Sequence, residues 1–177
     1  QSSQFASAVL LVAPYARERV ILRARDPVSA PYIEMTVRVM NSFGVAVERT
    51  EPGVFVISPT AYKGSDVSVE ADASSASYFF AAAAIIPGRV TVSNLRLDGL
   101  QGDLKFIEIL HQMGAEVGKR DSRITVIGAQ RLCGVDVDMQ DTPDLVPTLS
   151  VVAPFADSPT TIRGIGHLRL KESDRIE

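Results

Sequence analysis

A period of seventy residues runs through this chain. A repeat constrains a fold more tightly than composition does, because each copy must solve the same packing problem beside its neighbours. Ala13-Pro14-Tyr15-Ala16 recurs as Ala153-Pro154-Phe155-Ala156, 140 positions on, and Leu22-Arg23 falls on Ile162-Arg163 by the same shift. A shift of 70 lays Arg19-Val20-Ile21-Leu22 on Arg89-Val90-Thr91-Val92 and Phe43-Gly44 on Met113-Gly114.

Each copy reads alike. A first helix is apolar nearly all round: Phe5 to Ala13, Ser77 to Ile85, Leu145 to Ala153. Helices of that kind are buried, so they need enclosure by neighbouring repeats, and the piece is expected to be poorly stable without them. A short β-branched strand follows: Val20-Ile21-Leu22, Val90-Thr91-Val92, Thr161-Ile162. A second, amphipathic helix carries Ile33, Val37 and Met40 on one stripe, and Ile107 and Leu110 in the next copy. Gly44 and Gly114 stand where a helix C-cap glycine belongs. Two strands close each copy: Val45-Ala46-Val47 with Val54 to Ile57, then Glu116-Val117 with Ile124-Thr125-Val126. The third copy is cut inside its second helix. The reading is an α/β chain of repeated β-α-β-α-β-β units of about 70 residues. The antiparallel-looking closing strands argue against a purely doubly wound sheet. Pro59 to Ser65 separates the first copy from the second.

A chain of 177 residues, 46% hydrophobic, makes one ordinary domain or two small ones with ample core. A net charge of −3 gives no general basic field for nucleic acid. The lone Cys133 excludes an internal disulfide framework and reads as a small core residue. His111 and His167 are too few for a histidine-rich metal site, and His111 reads as a surface residue. No apolar run approaches the roughly 20 residues that span a membrane, and no signal-peptide pattern is present. A soluble, reducing, cytoplasm-like setting fits best, with a plastid as the alternative. The chain starts without Met, at Gln1-Ser2-Ser3-Gln4, and stops at Ile176-Glu177, which reads as an interior piece of a longer protein.

Polar residues gather at equivalent helix starts. Gln4 and Asp144 occupy matching positions before first helices; Tyr32 and Glu172 occupy matching positions before second helices. Arg169-Leu170-Lys171-Glu172-Ser173-Asp174-Arg175 packs three cations and two acids into one run with Ser173. If Lys171 onward opens a helix, Lys171 and Arg175 share a face, Glu172 reaches Arg175, and the helix dipole adds positive potential. Helix starts present unpaired N–H groups and suit phosphates and carboxylates. Plainer readings stand beside this one: N-caps for Ser2, Ser3, Ser29 and Asp144, a core aromatic for Tyr32, and a solvated first turn for Lys171 to Arg175. For Asp72-Ala73-Ser74-Ser75 a capping role is the preferred reading.

Ser2-Ser3-Gln4-Phe5, Ser29-Ala30-Pro31-Tyr32-Ile33, Asp72-Ala73-Ser74-Ser75-Ala76-Ser77-Tyr78-Phe79, Gln101-Gly102-Asp103, Pro143-Asp144 and Lys171-Glu172-Ser173-Asp174-Arg175 come in one order. Together they resemble the 5-enolpyruvylshikimate-3-phosphate synthase family over essentially the whole chain. The resemblance implies an enolpyruvyl transferase-like two-lobed architecture, incomplete here. Residues 1–70 would be the C-terminal part of the first lobe and 71–177 two partial repeats of the second, with a hinge near Glu70 to Asp72.

It also implies transfer of the enolpyruvyl group of phosphoenolpyruvate to the 5-hydroxyl of shikimate 3-phosphate, in aromatic amino-acid biosynthesis, without metal or organic cofactor. The implied partners are those two substrates and the missing segments of the same polypeptide. On that resemblance, Ser2, Ser3 and Ser29 hold the shikimate phosphate, Gln4 lies between the substrates and Tyr32 packs on the shikimate. Asp144 is the base for the 5-hydroxyl, Glu172 protonates the phosphoenolpyruvate methylene, Lys171 contacts the developing charge and Arg175 grips the carboxylate. The acid and base need divergent pKa values, and Glu172 is expected to be the more raised when substrate is bound. The family often has Asn where this chain has His167, which leaves His167 a candidate ligand contact. Two other readings are a UDP-N-acetylglucosamine enolpyruvyl transferase and a non-catalytic phospho-ligand-binding fragment. The chain alone is expected to have no turnover.

Overall fold

The computed structural model describes residues 3–25, 29–86, 88–96 and 99–177. The chain forms two compact units, Gln1–Ser68 and Val69–Glu177.

In the first unit, helix α1 (Ser3–Val12) leads into strand β1 (Val20–Arg23). Helix α2 (Ala30–Ser42) follows, with Pro31 in its first turn, where a missing N–H leaves no bond unmade. Ile33, Val37 and Met40 lie on its buried face. They pack with Leu10, Ala13, Val45, Phe55 and Ile57 into one core. Strands β2 (Glu48–Glu51) and β3 (Val54–Ile57) complete a three-stranded antiparallel sheet in the order β1-β3-β2.

The second unit begins with α3 (Ala73–Ile85). Asp72 caps it, accepting from the Ser74 N–H at 2.9 Å and the Ser75 hydroxyl at 2.5 Å, the role preferred from the sequence. Strand β4 (Arg89–Ser93), helix α4 (Lys105–Gln112) and strands β5 (Glu116–Arg120) and β6 (Arg123–Ile127) follow, and their antiparallel order is β4-β6-β5. The last sheet pairs β7 (Asp136–Asp138) with β8 (Thr161–Arg163) in parallel, joined through α5 (Val146–Val152). Helices α3 and α5 pack together, and the Ser77 and Thr148 hydroxyls meet at 3.3 Å between them. Phe80, Phe106, Leu110, Met113, Ile124, Leu145, Leu149 and Leu168 belong to one core.

Both second helices end in the same hydrogen-bonded cap. Gly44 (φ +80°) and Gly114 (φ +109°) have backbone angles that only glycine adopts without strain. Their N–H groups reach Asn41 O and His111 O, each at 3.0 Å. The next N–H groups, of Val45 and Ala115, reach Met40 O at 3.0 Å and Leu110 O at 2.9 Å. This is the Schellman pattern.

Several expectations need correction. Val45-Ala46-Val47 is not a strand, because the Val45 N–H is already used in closing α2 and its side chain is fully buried; pairing starts at Glu48. Lys171 opens no helix. The 3-10 turn Gly166–Leu170 stops at an extended Lys171 (φ −80°, ψ −166°), and Arg169, Glu172, Asp174 and Arg175, which a helix would have spread on its surface, are bound in ion pairs. Cys133 is exposed rather than buried. It follows the buried Leu132, and its N–H bonds Met113 O at 2.8 Å.

The first helices are buried on one side only: Phe5, Tyr78, Phe79 and Val151 stand more than half exposed. The segment from Glu70 to Ala73 is tied to Gln101. Gln101 donates to Glu70 at 3.1 Å and to the Ala71 carbonyl at 2.7 Å, and accepts the Ala73 N–H at 2.7 Å. Among the described residues, no helix is long and apolar enough to cross a membrane.

Candidate active site

Parallel pairing of β7 with β8 sets the geometry. Two parallel strands end on the same edge, and in α/β sheets ligands collect outside those carboxyl ends. The chain leaving β7 runs through Asp141 and Thr142 into the short turn Pro143–Leu145 at the start of α5, which carries Asp144. The chain leaving β8 runs through the Gly166–Leu170 turn, which carries His167, into Lys171, Glu172 and Arg175. The Met139 N–H bonds the Arg163 carbonyl at 2.9 Å, so the two exits stay side by side.

Arg175 joins the two acids. Its Nη1 donates to Asp144 Oδ1 at 2.8 Å and its Nη2 to Glu172 Oε2 at 2.8 Å. Both pairs are open to water, the Glu172 pair the more so, and solvent screening keeps the contribution of each small. The Asp144 bond is the chief cause that raises the Arg175 pKa, partly opposed by burial. The Glu172 carboxyl lies below its ordinary value, first through its own backbone N–H and then through Arg175. His167 titrates lower than an ordinary histidine because it is partly buried and Lys171 lies beside it. Its Nε2 is buried and has no hydrogen-bond partner among the described residues.

The loop is held from within. The Lys171 and Arg175 N–H groups both reach Leu168 O, at 3.4 and 3.3 Å. Asp174 accepts from Arg169 at 2.7 Å and from the Ile176 N–H at 3.0 Å, a local turn that competes with a helix. Arg169 and Asp174 went unassigned in the sequence, although their signal was there: opposite charges inside one seven-residue run.

The remaining candidates lie in the first unit. Ser2 falls outside the described residues. Ser3 opens α1 and is buried; Gln4 beside it is exposed. Ser29 holds the N-cap position of α2, yet its hydroxyl makes no cap bond. Its carbonyl accepts the Tyr32 N–H at 3.1 Å, and its φ of +62° is left-handed. A non-glycine residue there carries about 1 kcal/mol of strain, so Ser29 is not the ordinary cap that the plainer reading made it. Tyr32 is half-buried rather than a core aromatic. The Thr36 hydroxyl donates to the Tyr32 carbonyl at 2.8 Å and lies 2.8 Å from the Ser7 hydroxyl. That contact ties α2 to α1 within two turns of both helix starts.

Two acids thus share one guanidinium at the carboxyl edge of a parallel strand pair. The comparisons with known proteins are specific. The family model for EPSP synthase (3-phosphoshikimate 1-carboxyvinyltransferase) matches residues 1–177, and the chain belongs to that family. The 3-phosphoshikimate 1-carboxyvinyltransferase of Methanosphaerula palustris is 51% identical over 176 residues, which is 99% of this chain and 42% of that protein. The protein of the same name from Nostoc punctiforme is 46% identical over 179 residues, covering 100% of this chain and 42% of its own length. The solved structure of EPSP synthase from Acinetobacter baumannii superposes with a TM-score of 0.79 at 28% identity, over 99% of this chain and 41% of that one. The chain thus spans about two-fifths of the length of the relatives it matches.

Proposed function

We propose that this chain is part of an enzyme that transfers the enolpyruvyl group of phosphoenolpyruvate to the 5-hydroxyl of shikimate 3-phosphate and releases phosphate. The observation that carries the reading is the Arg175 bridge between Asp144 and Glu172, in a chain that belongs to the EPSP synthase family.

In this reading Asp144 takes the proton of the 5-hydroxyl while that oxygen bonds to C2 of phosphoenolpyruvate. Glu172 gives a proton to the methylene carbon, forming a methyl group. Loss of one methyl proton and of phosphate then restores the double bond. Arg175 holds the phosphoenolpyruvate carboxylate with its planar fork, and Lys171 faces the developing charge. Ser2, Ser3 and Ser29 hold the shikimate phosphate, with Gln4 and Tyr32 beside the ring. His167, whose buried ring nitrogen has no hydrogen-bond partner among the described residues, is a further candidate ligand contact. The first compact unit is then the end of one lobe and the second the start of another. No step requires a metal or organic cofactor. The compartment is a reducing one, cytoplasm or plastid.

The chain supplies only part of such an enzyme, so alone it binds phosphorylated ligand weakly and does not turn over. The test is a chimera that embeds these 177 residues in the flanking segments of the Methanosphaerula palustris relative. Phosphate release with shikimate 3-phosphate as acceptor, and none with UDP-N-acetylglucosamine, supports the reading. Release with the nucleotide sugar alone moves the chain to the other acceptor. Comparable turnover by the 177 residues alone contradicts the fragment reading.

A further inference from the structure

We infer that Glu172 is a place-holder on Arg175: it occupies the position on the guanidinium that a substrate carboxylate takes, and it is the group that the substrate displaces. The inference rests on the enolpyruvyl-transfer reading and adds to it an order of events.

The geometry supplies the argument. A guanidinium offers a carboxylate its best contact through two parallel N–H bonds on one edge. On Arg175 both terminal nitrogens are already engaged, Nη1 by Asp144 and Nη2 by Glu172. These bonds use two of the five guanidinium N–H groups, and an arriving carboxylate that takes the edge shared by the two terminal nitrogens competes with Asp144 and Glu172 for it. The two are not equal. The Asp144 side chain is 40% exposed and sits on the turn that starts α5; the Glu172 side chain is 70% exposed and sits on an irregular loop. The more exposed partner is better hydrated when released, so it leaves with less penalty. The loop need not move with it, because the Lys171 and Arg175 N–H groups stay on Leu168 O.

Displacement changes what Glu172 can do. While it is paired, the guanidinium helps to keep it ionised and therefore useless as an acid. Once the substrate carboxylate takes its place, that cation is neutralised by another anion and Glu172 faces added negative charge. Lys171, the other cation acting on it, opposes the change but is not removed. The arrival of the substrate thus arms the acid that the reaction needs, and water supplies the proton.

The test is equilibrium binding of phosphoenolpyruvate to the 177-residue chain and to its Glu172→Gln variant, with inorganic phosphate as the control anion. The variant keeps size and removes the competing charge. Carboxyl ¹³C resonances of the parent chain are followed through pH with and without phosphoenolpyruvate. A place-holder predicts that Glu172→Gln tightens phosphoenolpyruvate binding by roughly two- to five-fold, the scale of one exposed ion pair. It also predicts little change for phosphate and an upward move of the Glu172 titration on saturation. Equal or weaker binding by the variant, or an equal gain for phosphate, overturns the place-holder and leaves the enolpyruvyl-transfer reading standing. An absence of saturable phosphoenolpyruvate binding in both chains overturns the place-holder, because Arg175 then takes no carboxylate in this chain, and leaves the enolpyruvyl-transfer reading to the chimera.

Discussion

Arg175 Nη1 lies 2.8 Å from Oδ1 of Asp144, a residue 31 positions earlier in the chain. The bond crosses from the segment after β8 to the segment after β7, so it reports whether the parallel edge has formed. Replacing Arg175 with Ala removes both this bond and the one to Glu172. In the chimera, Arg175→Ala also removes the proposed clamp on the phosphoenolpyruvate carboxylate and is expected to lower kcat/KM by on the order of 10²-fold or more, the scale of losing one partner of a desolvated charge pair with the substrate. Arg175→Lys keeps the charge without the fork and recovers only part of that loss. Steady-state kinetics with phosphoenolpyruvate as the varied substrate check it.

Acid is expected to destabilise this chain in two stages. The His167 pKa lies below the ordinary value in the folded chain, so the unfolded chain binds more protons. The associated stability is present above about pH 6.5, the unfolded value, and is lost as pH falls through the lowered folded value. The carboxyls of Glu34, Asp72, Glu172 and Asp174 also titrate lower than usual, through Arg49, Ser75, the Glu172 backbone and the Ile176 backbone respectively. Their share is present above the usual carboxylate range and disappears below it. Thermal melts from pH 8 to pH 3 should therefore show Tm falling first below about pH 6.5 and again below about pH 4.5. His167→Asn should flatten the first fall and leave the second. A Tm that rises between pH 7 and pH 5.5 contradicts the assignment.

The two glycine caps give a paired prediction. Gly44→Ala and Gly114→Ala each force a side chain into left-handed backbone, at about 1–2 kcal/mol. The caps lie in different compact units and share no partner. Where the units unfold together, the double variant should lose the sum of the two single losses. Chemical denaturation of the four chains measures this, and a double loss much smaller than the sum means that each unit unfolds by itself.

Gln101 ties down the segment that enters α3 with three hydrogen bonds. Gln101→Ala should destabilise the second unit by about 2 kcal/mol, since partly buried bonds contribute roughly 0.5–1.5 kcal/mol each. Amide exchange at Ala71 and Ala73 should quicken more than exchange in β6.

Much of this architecture was legible in apolar spacing. The stripes of Ile33, Val37 and Met40 and of Ile107 and Leu110 are buried on α2 and α4, and the glycines after them close those helices. Three things escaped the sequence for physical reasons. Val45 to Val47 has strand composition, but the helix cap takes its first N–H. The Lys171 to Arg175 run has helical charge spacing, but Asp174 and Arg175 close local and long-range pairs instead. Strand β7 is only three residues long and two of them are acids, although Val135 to Met139 alternates apolar and acidic residues as an edge strand does. Without β7 the meeting of Asp144 with Arg175 cannot be foreseen, because it depends on β7 and β8 running parallel. The roles of Asp144, Glu172 and Arg175 came from family resemblance, and only the Glu172–Arg175 contact could be drawn from spacing.

Hydrogen transfer to the methylene carbon tests the central claim most directly. The chimera is run in heavy water with both substrates, and deuterium at the vinyl position of the product is measured by mass spectrometry. If Glu172 protonates that carbon and a methyl proton is later lost, deuterium appears in the product. Glu172→Gln then lowers the turnover rate by roughly 10²-fold or more. Product formed without deuterium, or turnover that survives Glu172→Gln unchanged, contradicts the account.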